Sequence, residues 1–232
     1  MKKTVLLLVL LLSGAFFTTS IAHPNEETRT LPSFSAIQLN CDAKVYVTQG
    51  DKQVVCIDAS REIIGSIRTE VVKGRLVIRT KPGMDTKGLP VRIYIIVKDL
   101  NELTTTGSGD IIAKKAIHSA SLLLKTEGSG SITANLDVQS LSMTIAGSGD
   151  ISVSGRAQHS EIRQTGTGDI HGKELQSFAS SINITGSGTS TVDVDDLLTV
   201  NITGSGSVFY LSDPERIHSV INGKGRLEKI AS

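Results

Sequence analysis

The segment Ile-Ala-Gly-Ser-Gly-Asp-Ile at residues 145–151 is one copy of the motif that decides the fold. A Gly-x-Gly tripeptide recurs seven times, and the first glycines of successive copies are 18 to 21 residues apart. Repetition at a nearly constant interval of this length is typical of solenoid proteins, in which each repeat stacks on its neighbours. The copies are Gly107–Gly109, Gly128–Gly130, Gly147–Gly149, Gly166–Gly168, Gly186–Gly188, Gly204–Gly206 and Gly223–Gly225.

The residues on either side of each motif alternate between apolar and polar side chains. This period of two is typical of half-buried β-strands, whereas an amphipathic helix requires a period of about 3.6. Four residues before the first glycine stand Leu103, Leu124, Met143, Ile162, Ile182 and Val200, with Ser219 as the exception. Four residues after it stand Ile111, Ile132, Ile151, Ile170, Val208 and Leu227, with Ser190 as the exception. We therefore expect each repeat to contain a strand, a glycine corner and a second strand, with both columns facing a core.

A repeat of about 20 residues cannot bury these columns alone. Parallel stacking of equivalent strands would place each column inside a continuous core, with backbone hydrogen bonds running from coil to coil. Glycine suits the corners because a tight corner requires either a positive φ or a close approach of two backbones. The pattern therefore predicts an all-β, single-stranded parallel β-helix. Antiparallel hairpin repeats, as in a small sandwich, are the alternative.

Residues 31–100 lack the motif but are also rich in strand-forming sequence. A two-residue hairpin turn is predicted at Lys73-Gly74, and no linker-like composition separates this segment from the repeats. Solenoids need atypical end units that cover the open core. We therefore expect one solenoid domain over 23–232, with 31–100 as an irregular N-terminal cap and first coils and 101–232 as the repeats. The strands predicted in the first part are 36–41, 44–48, 53–57, 67–72, 75–80 and 91–97.

Residues 1–22 have the features of a signal peptide. Two lysines near the start precede an unbroken apolar run, Val5 to Leu12, and the small residues Ser20 and Ala22 precede a predicted cleavage site before His23. The apolar run is shorter than the ~20 residues of a membrane-spanning helix. We expect an exported mature protein in the periplasm or at the cell surface, with no membrane span left after removal of the signal.

The overall charge is nearly balanced, with 24 basic and 23 acidic residues and a formal net charge of +1. Nucleic-acid binding needs a clustered excess of positive charge, so this partner class is excluded. Aromatic residues make up only 3% of the chain, which argues against a large aromatic-lined cofactor pocket. No cofactor is therefore expected.

Cys41 and Cys56 are the two cysteines of the chain. In an oxidising compartment such a pair can form a disulfide. Both also lie among strand-forming residues, where a cysteine can be a small buried hydrophobic side chain. If residues 49–52 form a simple hairpin turn, Val45 rather than Cys41 lies opposite Cys56, and the geometry of a disulfide fails. Both alternatives stay open at this level.

Polar residues three positions before the first glycine form the candidate exposed binding face. One interpretation is a solvated sheet face, which every solenoid has, and the other is a polar ladder that contacts glycans. The sequence contains neither a nucleophile elbow nor a phosphate loop followed by a helix, so no catalytic residue is assigned. The members of the face are Thr104, Lys125, Thr144, Arg163, Asn183 and Asn201.

Asp110, Asp150 and Asp169 directly follow the corner in three of the copies. A stacked calcium ladder would need a nonapeptide period with acid-bearing turns that face each other, and neither feature is present. Carboxylates in such turns commonly accept hydrogen bonds from nearby backbone N–H groups. We therefore predict a capping role for these aspartates and no metal site.

Several segments of the chain carry a resemblance to a known family. They are VYVTQGDKQVV at 45–55, LNELTTTGSGDI at 100–111, IAGSGDI at 145–151 and QTGTGDI at 164–170. Over residues 34–225 the chain resembles the head GIN domain family, known as auto-transporter adhesins and common in Bacteroidetes-type bacteria. The resemblance implies a right-handed β-helix and an exported location, for a family whose molecular function is unassigned.

These observations favour an exported, non-catalytic envelope protein that serves as an adhesin-like binding or structural module, with a glycan or an envelope protein as its partner. The alternatives are a carbohydrate-active enzyme built on a β-helix and a regulatory partner in the envelope stress response. After Gly223–Gly225 the remaining residues suffice for one short strand. Open strand edges promote association, so we also predict a weak homo-oligomer formed through the C-terminal end.

Overall fold

The computed structural model describes residues 25–84, 86 and 88–231. Apart from one 3-10 helix at Ile64–Ser66, the regular structure in these residues consists of β-strands. They are β1 (Glu26–Arg29), β2 (Ala36–Leu39), β3 (Lys44–Gln49), β4 (Val54–Asp58), β5 (Ile67–Val72), β6 (Arg75–Thr80), β7 (Arg92–Val97), β8 (Glu102–Thr105), β9 (Asp110–Thr126), β10 (Ile132–Ile145), β11 (Ile151–Gln164), β12 (Ile170–Gly186), β13 (Thr189–Gly204), β14 (Ser207–Tyr210), β15 (Arg216–Gly223) and β16 (Arg226–Lys229).

Strands β9 to β13 form the regular repeats, and each pairs in parallel with the strand of the next coil. Residues at the same distance from the glycine motif are paired across neighbouring coils. Leu124, Met143 and Ile162, for example, are successive partners. The column before the motif, from Leu103 to Val200, is at most 1% exposed, and the column after it is fully buried as far as Val208. The fold is therefore the predicted all-β parallel solenoid, with about seven turns. The antiparallel alternative is wrong.

Each long strand turns a corner and contributes to two faces of the solenoid. On the first face, the hydrogen-bonded order is β7-β3-β9-β10-β11-β12-β13-β14-β16. On the second face, β6-β2-β8 leads into the later parts of β9 to β13, and β15 follows β13. Side chains that point inward from both faces form one buried cluster, which runs from Phe34 to Val208.

The glycine corners are required by the close approach of successive coils. A Cβ atom placed on Gly130 would lie 2.1 Å from the carbonyl oxygen of Gly109, and one placed on Gly149 would lie 2.1 Å from that of Gly130. Among the described corners, a positive φ occurs only at the first glycine of the last three copies. Of the two reasons expected for glycine, close backbone approach therefore applies to most corners.

The N-terminal segment folds back over the first coil in an order that the sequence pattern did not predict. Strands β2 and β3 pair in parallel with β8 and β9 on one side and with β6 and β7 on the other. Beyond this layer, β4 and β5 run antiparallel to β7 and β6, and β1 runs antiparallel to β4. The predicted strands form, and Lys73 and Gly74 make the predicted turn with φ values of 49° and 76°. Antiparallel strands thus cover this end of the core.

The last coil is open to solvent within the described residues. All eight residues of β15 are exposed, and β15 and β16 each pair on one side only, with β13 and β14. Ile217 and Ile221 continue the buried columns of Leu198 and Ile202 but are 40% and 38% exposed. Apolar core and unpaired strand edges therefore meet solvent at this end.

Cys41 and Cys56 are both free. The simple hairpin considered for residues 49–52 does not form, because β7 lies between β3 and β4. Burial of Cys41, with a smaller contribution from the charge of Asp42, raises the pKa of its thiol to about 12. Cys56 is half-buried on the outward side of β4.

The signal peptide predicted at residues 1–22 lies outside the described residues. In the part of the chain that the structure describes, no helix has the length and hydrophobicity of a membrane-spanning segment. Cleavage after residue 22 therefore stays a prediction.

Candidate binding surface

The six polar residues of the predicted binding face lie side by side on neighbouring strands. Each is the register partner of the next, from Thr104 on β8 through to Asn201 on β13. Lys125, Thr144 and Asn183 are half-buried, while Arg163 and Asn201 are exposed. The structure thus brings together a continuous row of polar side chains on the outside of the second face.

Thr104 differs from the expectation of exposure, because it is only 4% exposed. Its hydroxyl donates a hydrogen bond of 2.8 Å to Glu102, whose carboxylate also pairs with Arg75 at 2.6 Å. The accessible face therefore begins at Lys125.

Each cation of this face is paired with a carboxylate two residues away along the chain. Lys125 Nζ lies 2.5 Å from a carboxylate oxygen of Glu127, and Arg163 Nη2 lies 2.5 Å from one of Glu161. The Asn201 amide donates a hydrogen bond of 3.1 Å to the Asn183 side-chain oxygen. The face can therefore offer hydrogen bonds of both kinds, but it presents no concentrated charge of one sign.

The aspartates after the corners cap the next coil, as predicted. Asp110 Oδ1 accepts from the Ser131 N–H at 3.2 Å, Asp150 Oδ1 from the Asp169 N–H at 2.8 Å, and Asp169 Oδ1 from the Thr189 N–H at 2.7 Å. Each carboxylate satisfies a backbone donor at, or directly before, the start of the strand in the next coil. Among residues 25–84, 86 and 88–231, no group of three acidic, His or Cys side chains is placed to hold a metal ion.

Two polar exceptions to the inward-facing apolar pattern compensate each other: Ser190 in the column after the motif, and Gln164, which stands two residues before the first glycine of its copy. Gln164 and Ser190 are both 0% exposed, and the Ser190 hydroxyl donates to the Gln164 side-chain oxygen at 2.9 Å. The Gln164 amide in turn donates to the carbonyl of Gly168. Buried polar groups are tolerated when they are paired in this way. Thr126 is different, since its buried hydroxyl has no partner in the described part of the chain.

A groove with a volume of about 460 Å³ adjoins the candidate face. It crosses the five strands β9 to β13, and hydroxyl side chains are the commonest residues in its lining. Its floor includes Ser160 and Ser180, which are inward-facing and occupy the position six residues before the first glycine of their copies. The sequence reasoning missed this groove because the columns compared there began four residues before the motif. The sequence feature that distinguishes this region is the change from leucine to serine in the column six residues before the first glycine.

A stacked tyrosine pair forms a second exposed feature, on the first face near its N-terminal end. The rings of Tyr46 and Tyr94 have centroids 5.2 Å apart and are inclined by 15°. Tyr94 is 43% exposed and its neighbour Ile96 is 38% exposed. A low aromatic content does not predict that these two residues meet, because β3 and β7 are far apart along the chain.

The chain is similar to a known protein family and to several solved structures. The family described as "Putative auto-transporter adhesin, head GIN domain" matches residues 33–214. The chain belongs to the head GIN domain family. This match confirms the resemblance carried by the repeated Gly-x-Gly-Asp segments. No curated protein matches the chain.

Three solved structures of similar proteins come from Bacteroides and Parabacteroides species. A "putative adhesin" from Bacteroides fragilis NCTC 9343 has a TM-score of 0.83 at 22% identity, over 88% of this chain and 96% of that one. Another from Parabacteroides distasonis ATCC 8503 has a TM-score of 0.74 at 20% identity, over 88% and 96%. A "putative lipid binding protein" from the same organism has a TM-score of 0.70 at 26% identity, over 89% and 97%. The two adhesin structures share the fold of this chain.

Proposed function

We propose that this head GIN domain protein is exported and serves as a non-catalytic, adhesin-like binding or structural module of the cell envelope. The observation that carries the proposal is the accessible polar row from Lys125 to Asn201, which stands on five successive coils. A rigid solenoid holds these side chains at a regular spacing of about 4.8 Å. Such a surface can contact an extended partner at several points at once.

The charge distribution of the row supports binding rather than catalysis. Enzymes built on sheets of this kind need acidic and basic groups that are free to take or give protons at the substrate. Here Lys125 and Arg163 each have a carboxylate partner two residues away along the chain. Their charge is committed to local ion pairs, and the face presents hydrogen-bonding groups instead.

Sedimentation of the purified 23–232 protein with outer-membrane and peptidoglycan fractions of Bacteroides fragilis tests the binding function. We expect the wild-type protein to co-sediment with at least one fraction. Arg163→Glu, which places two carboxylates side by side, should weaken this binding. Arg68→Glu makes the same change of charge on the exposed edge strand β5 and should leave binding unchanged. Absence of co-sedimentation, or equal effects of the two variants, would contradict the proposal.

Export and the absence of catalysis have separate tests. Expression of the full chain in a Bacteroides host should give a protein outside the cytoplasm whose first residue is His23. Incubation with polysaccharides should release neither reducing ends nor unsaturated products. Turnover that survives purification and disappears on substitution of Lys125 or Arg163 would make the protein an enzyme.

A further inference from the structure

A second groove, with a volume of about 620 Å³, lies at the N-terminal end of the polar row. It spans the tip of the β5–β6 hairpin, the start of β2 and the start of β8, and we call it the hairpin groove. Gln38 in its lining is the register partner of Thr104, the first residue of the row. A partner that follows the row therefore reaches this groove. The polar residues of its lining are Ser35, Gln38, Lys73, Arg75, Asn101 and Glu102.

The turn at the tip of the hairpin contains a lysine that its geometry does not favour. Lys73, with a φ of 49°, is the one non-glycine residue with a positive φ in the part of the chain that the structure describes. Turns with a positive φ at both central residues favour Asn-Gly or Asp-Gly. The Gly74 carbonyl accepts hydrogen bonds from the Ser35 N–H at 3.0 Å and the Ala36 N–H at 3.3 Å, which fixes the turn against β2. Backbone strain retained in a fixed turn favours a function for the Lys73 side chain.

The Lys73 ammonium group is also uncompensated. Lys73 is exposed, and no carboxylate pairs with it among the described residues. Lys125 and Arg163 of the polar row differ in this respect, because each has a carboxylate partner. Lys73 can therefore offer its charge to a bound ligand.

Arg75 brings a second cation to the hairpin groove, and its guanidinium group is only partly paired. Its Nη2 lies 2.6 Å from Glu102 Oε2, while Glu102 Oε1 accepts a hydrogen bond of 2.8 Å from the Thr104 hydroxyl. The carboxylate is thus shared between the two residues. The buried Nε of Arg75 has no acceptor in the described residues, although the side chain as a whole is 43% exposed. Two cations and one carboxylate leave the lining with one excess positive charge.

We infer that the hairpin groove binds an oxyanion, a carboxylate or phosphate group that the envelope partner carries. Lys73 contributes a compact ammonium charge with three donors, and the exposed part of the Arg75 guanidinium contributes planar N–H donors. Hydrogen bonds from such cations to an oxyanion are of the strong, charge-assisted kind. The oxyanion also balances the excess positive charge of the lining. This inference rests on the proposed binding function and names the charged group of the partner.

Other ligands fit the hairpin groove less well. A metal ion such as Ca²⁺ needs free oxygen ligands of negative charge, and Glu102, the one carboxylate of the lining, is engaged by Arg75 and Thr104. A peptide bound as an added strand needs an unpaired sheet edge, whereas β2 and β6 are paired on both sides. A neutral sugar would leave the charge of Lys73 without a partner.

The strained turn allows the charge to be removed without opposing the fold. Lys73→Asn replaces the lysine by a residue that this turn prefers, so we expect its Tm to equal or exceed that of the wild type. Lys73→Arg keeps the charge in the same backbone conformation and should retain binding. Lys52→Asn is the matched control, because it removes one lysine at an exposed position outside the groove.

The measurement is calorimetric titration of the wild type and the three variants, each as residues 23–232. Trigalacturonate is the carboxylate probe, tripolyphosphate is the phosphate probe, and galactotriose is the neutral control. We expect the wild type to bind at least one oxyanion probe but not galactotriose, with an affinity that falls as the salt concentration rises. The probe that binds identifies the oxyanion as a carboxylate or a phosphate.

The variants locate this binding in the hairpin groove. Lys73→Asn should bind the same probe about three- to fivefold more weakly, the effect of one exposed charge pair. Lys52→Asn and Lys73→Arg should stay within about twofold of the wild type. Binding of neither oxyanion probe by the wild type, or equal affinities of Lys73→Asn and Lys52→Asn, would overturn the inference.

Co-sedimentation with envelope fractions separates this inference from the proposed function. If the wild type co-sediments but binds neither oxyanion probe, the proposed function stands and the inference fails. If the wild type co-sediments with no fraction, the proposed function fails, whatever the probes show.

Discussion

Replacement of Gly149 by alanine is a direct perturbation of the contact between coils. An added Cβ atom would lie 2.1 Å from the carbonyl oxygen of Gly130, whereas real Cβ contacts essentially never fall below 3.0 Å. The two coils must therefore part by at least 0.9 Å at this point. The same corner donates two backbone hydrogen bonds of 3.1 Å, from the N–H groups of Ser148 and Gly149 to the carbonyl of Gly128.

The cost of this substitution follows from these contacts. Overpacking a well-packed interior costs about 1–3 kcal/mol, and a backbone hydrogen bond contributes about 1 kcal/mol. We therefore expect the free energy of unfolding to fall by about 3 kcal/mol. For a chain of this size, this corresponds to a decrease in Tm of about 6–12 °C.

Gly65→Ala is the matched control, because a Cβ atom on Gly65 meets no heavy atom within 4 Å and the backbone there has no positive φ. We expect its Tm to stay within about 2 °C of the wild-type value. Thermal melts followed by circular dichroism compare the two variants under the same conditions. If Gly149→Ala melts at the same temperature as Gly65→Ala, the close stacking of the corners is refuted.

Three further predictions concern the core, the cysteines and the open end. Ile145→Asp places a carboxylate at a fully buried position and should lower the free energy of unfolding by about 3–5 kcal/mol. Asn183→Asp changes an outward-facing residue and should leave the Tm nearly unchanged. Equal shifts in Tm for the two variants would contradict the register. Near neutral pH a maleimide should label Cys56 in the folded protein but Cys41 only after unfolding, and labelling of both at equal rates would be the contrary result. Folding raises the pKa of the Cys41 thiol from 9.0 to about 12, because burial disfavours the thiolate. The stability that depends on the neutral buried thiol should therefore be fully present below pH 9.0 and be lost as the pH rises towards about 12. Light scattering should detect association that increases with concentration and decreases in Ile221→Lys, while a strict monomer at all concentrations would exclude contact through β15.

The regular coils were predictable because their signals are local. The Gly-x-Gly spacing gives the length of each coil, and the alternation around it gives the direction of each side chain. Met143 and Ile162, for example, are register partners because both stand four residues before a corner. The outward row was predicted from the same alternation, and only Thr104 departs from it. Its register partner on one side is Gln38 of β2, from a segment outside the repeat.

The rest of the fold and site depends on contacts between distant segments. Strands β4 and β5 have the alternation of any half-buried strand, so their sequence does not reveal that they run antiparallel over the N-terminal end. Gln164 and Ser190 look like two unrelated exceptions until the coils bring them within hydrogen-bonding distance. The groove is lined by residues from the five strands β9 to β13, and their sequences do not show which of these residues meet.

The parallel stacking of equivalent coils can be measured most directly by pyrene excimer fluorescence. Asn183 and Asn201 are register partners on adjacent coils, and cysteines at both positions can carry pyrene maleimide in a Cys56→Ser background, with Cys41 protected by burial. We predict strong excimer emission from this pair and weak emission from cysteines at Arg163 and Asn201, which lie two coils apart. In antiparallel hairpins equivalent residues would lie two strands apart. Weak excimer emission from the first pair, or equal emission from both pairs, would contradict the solenoid.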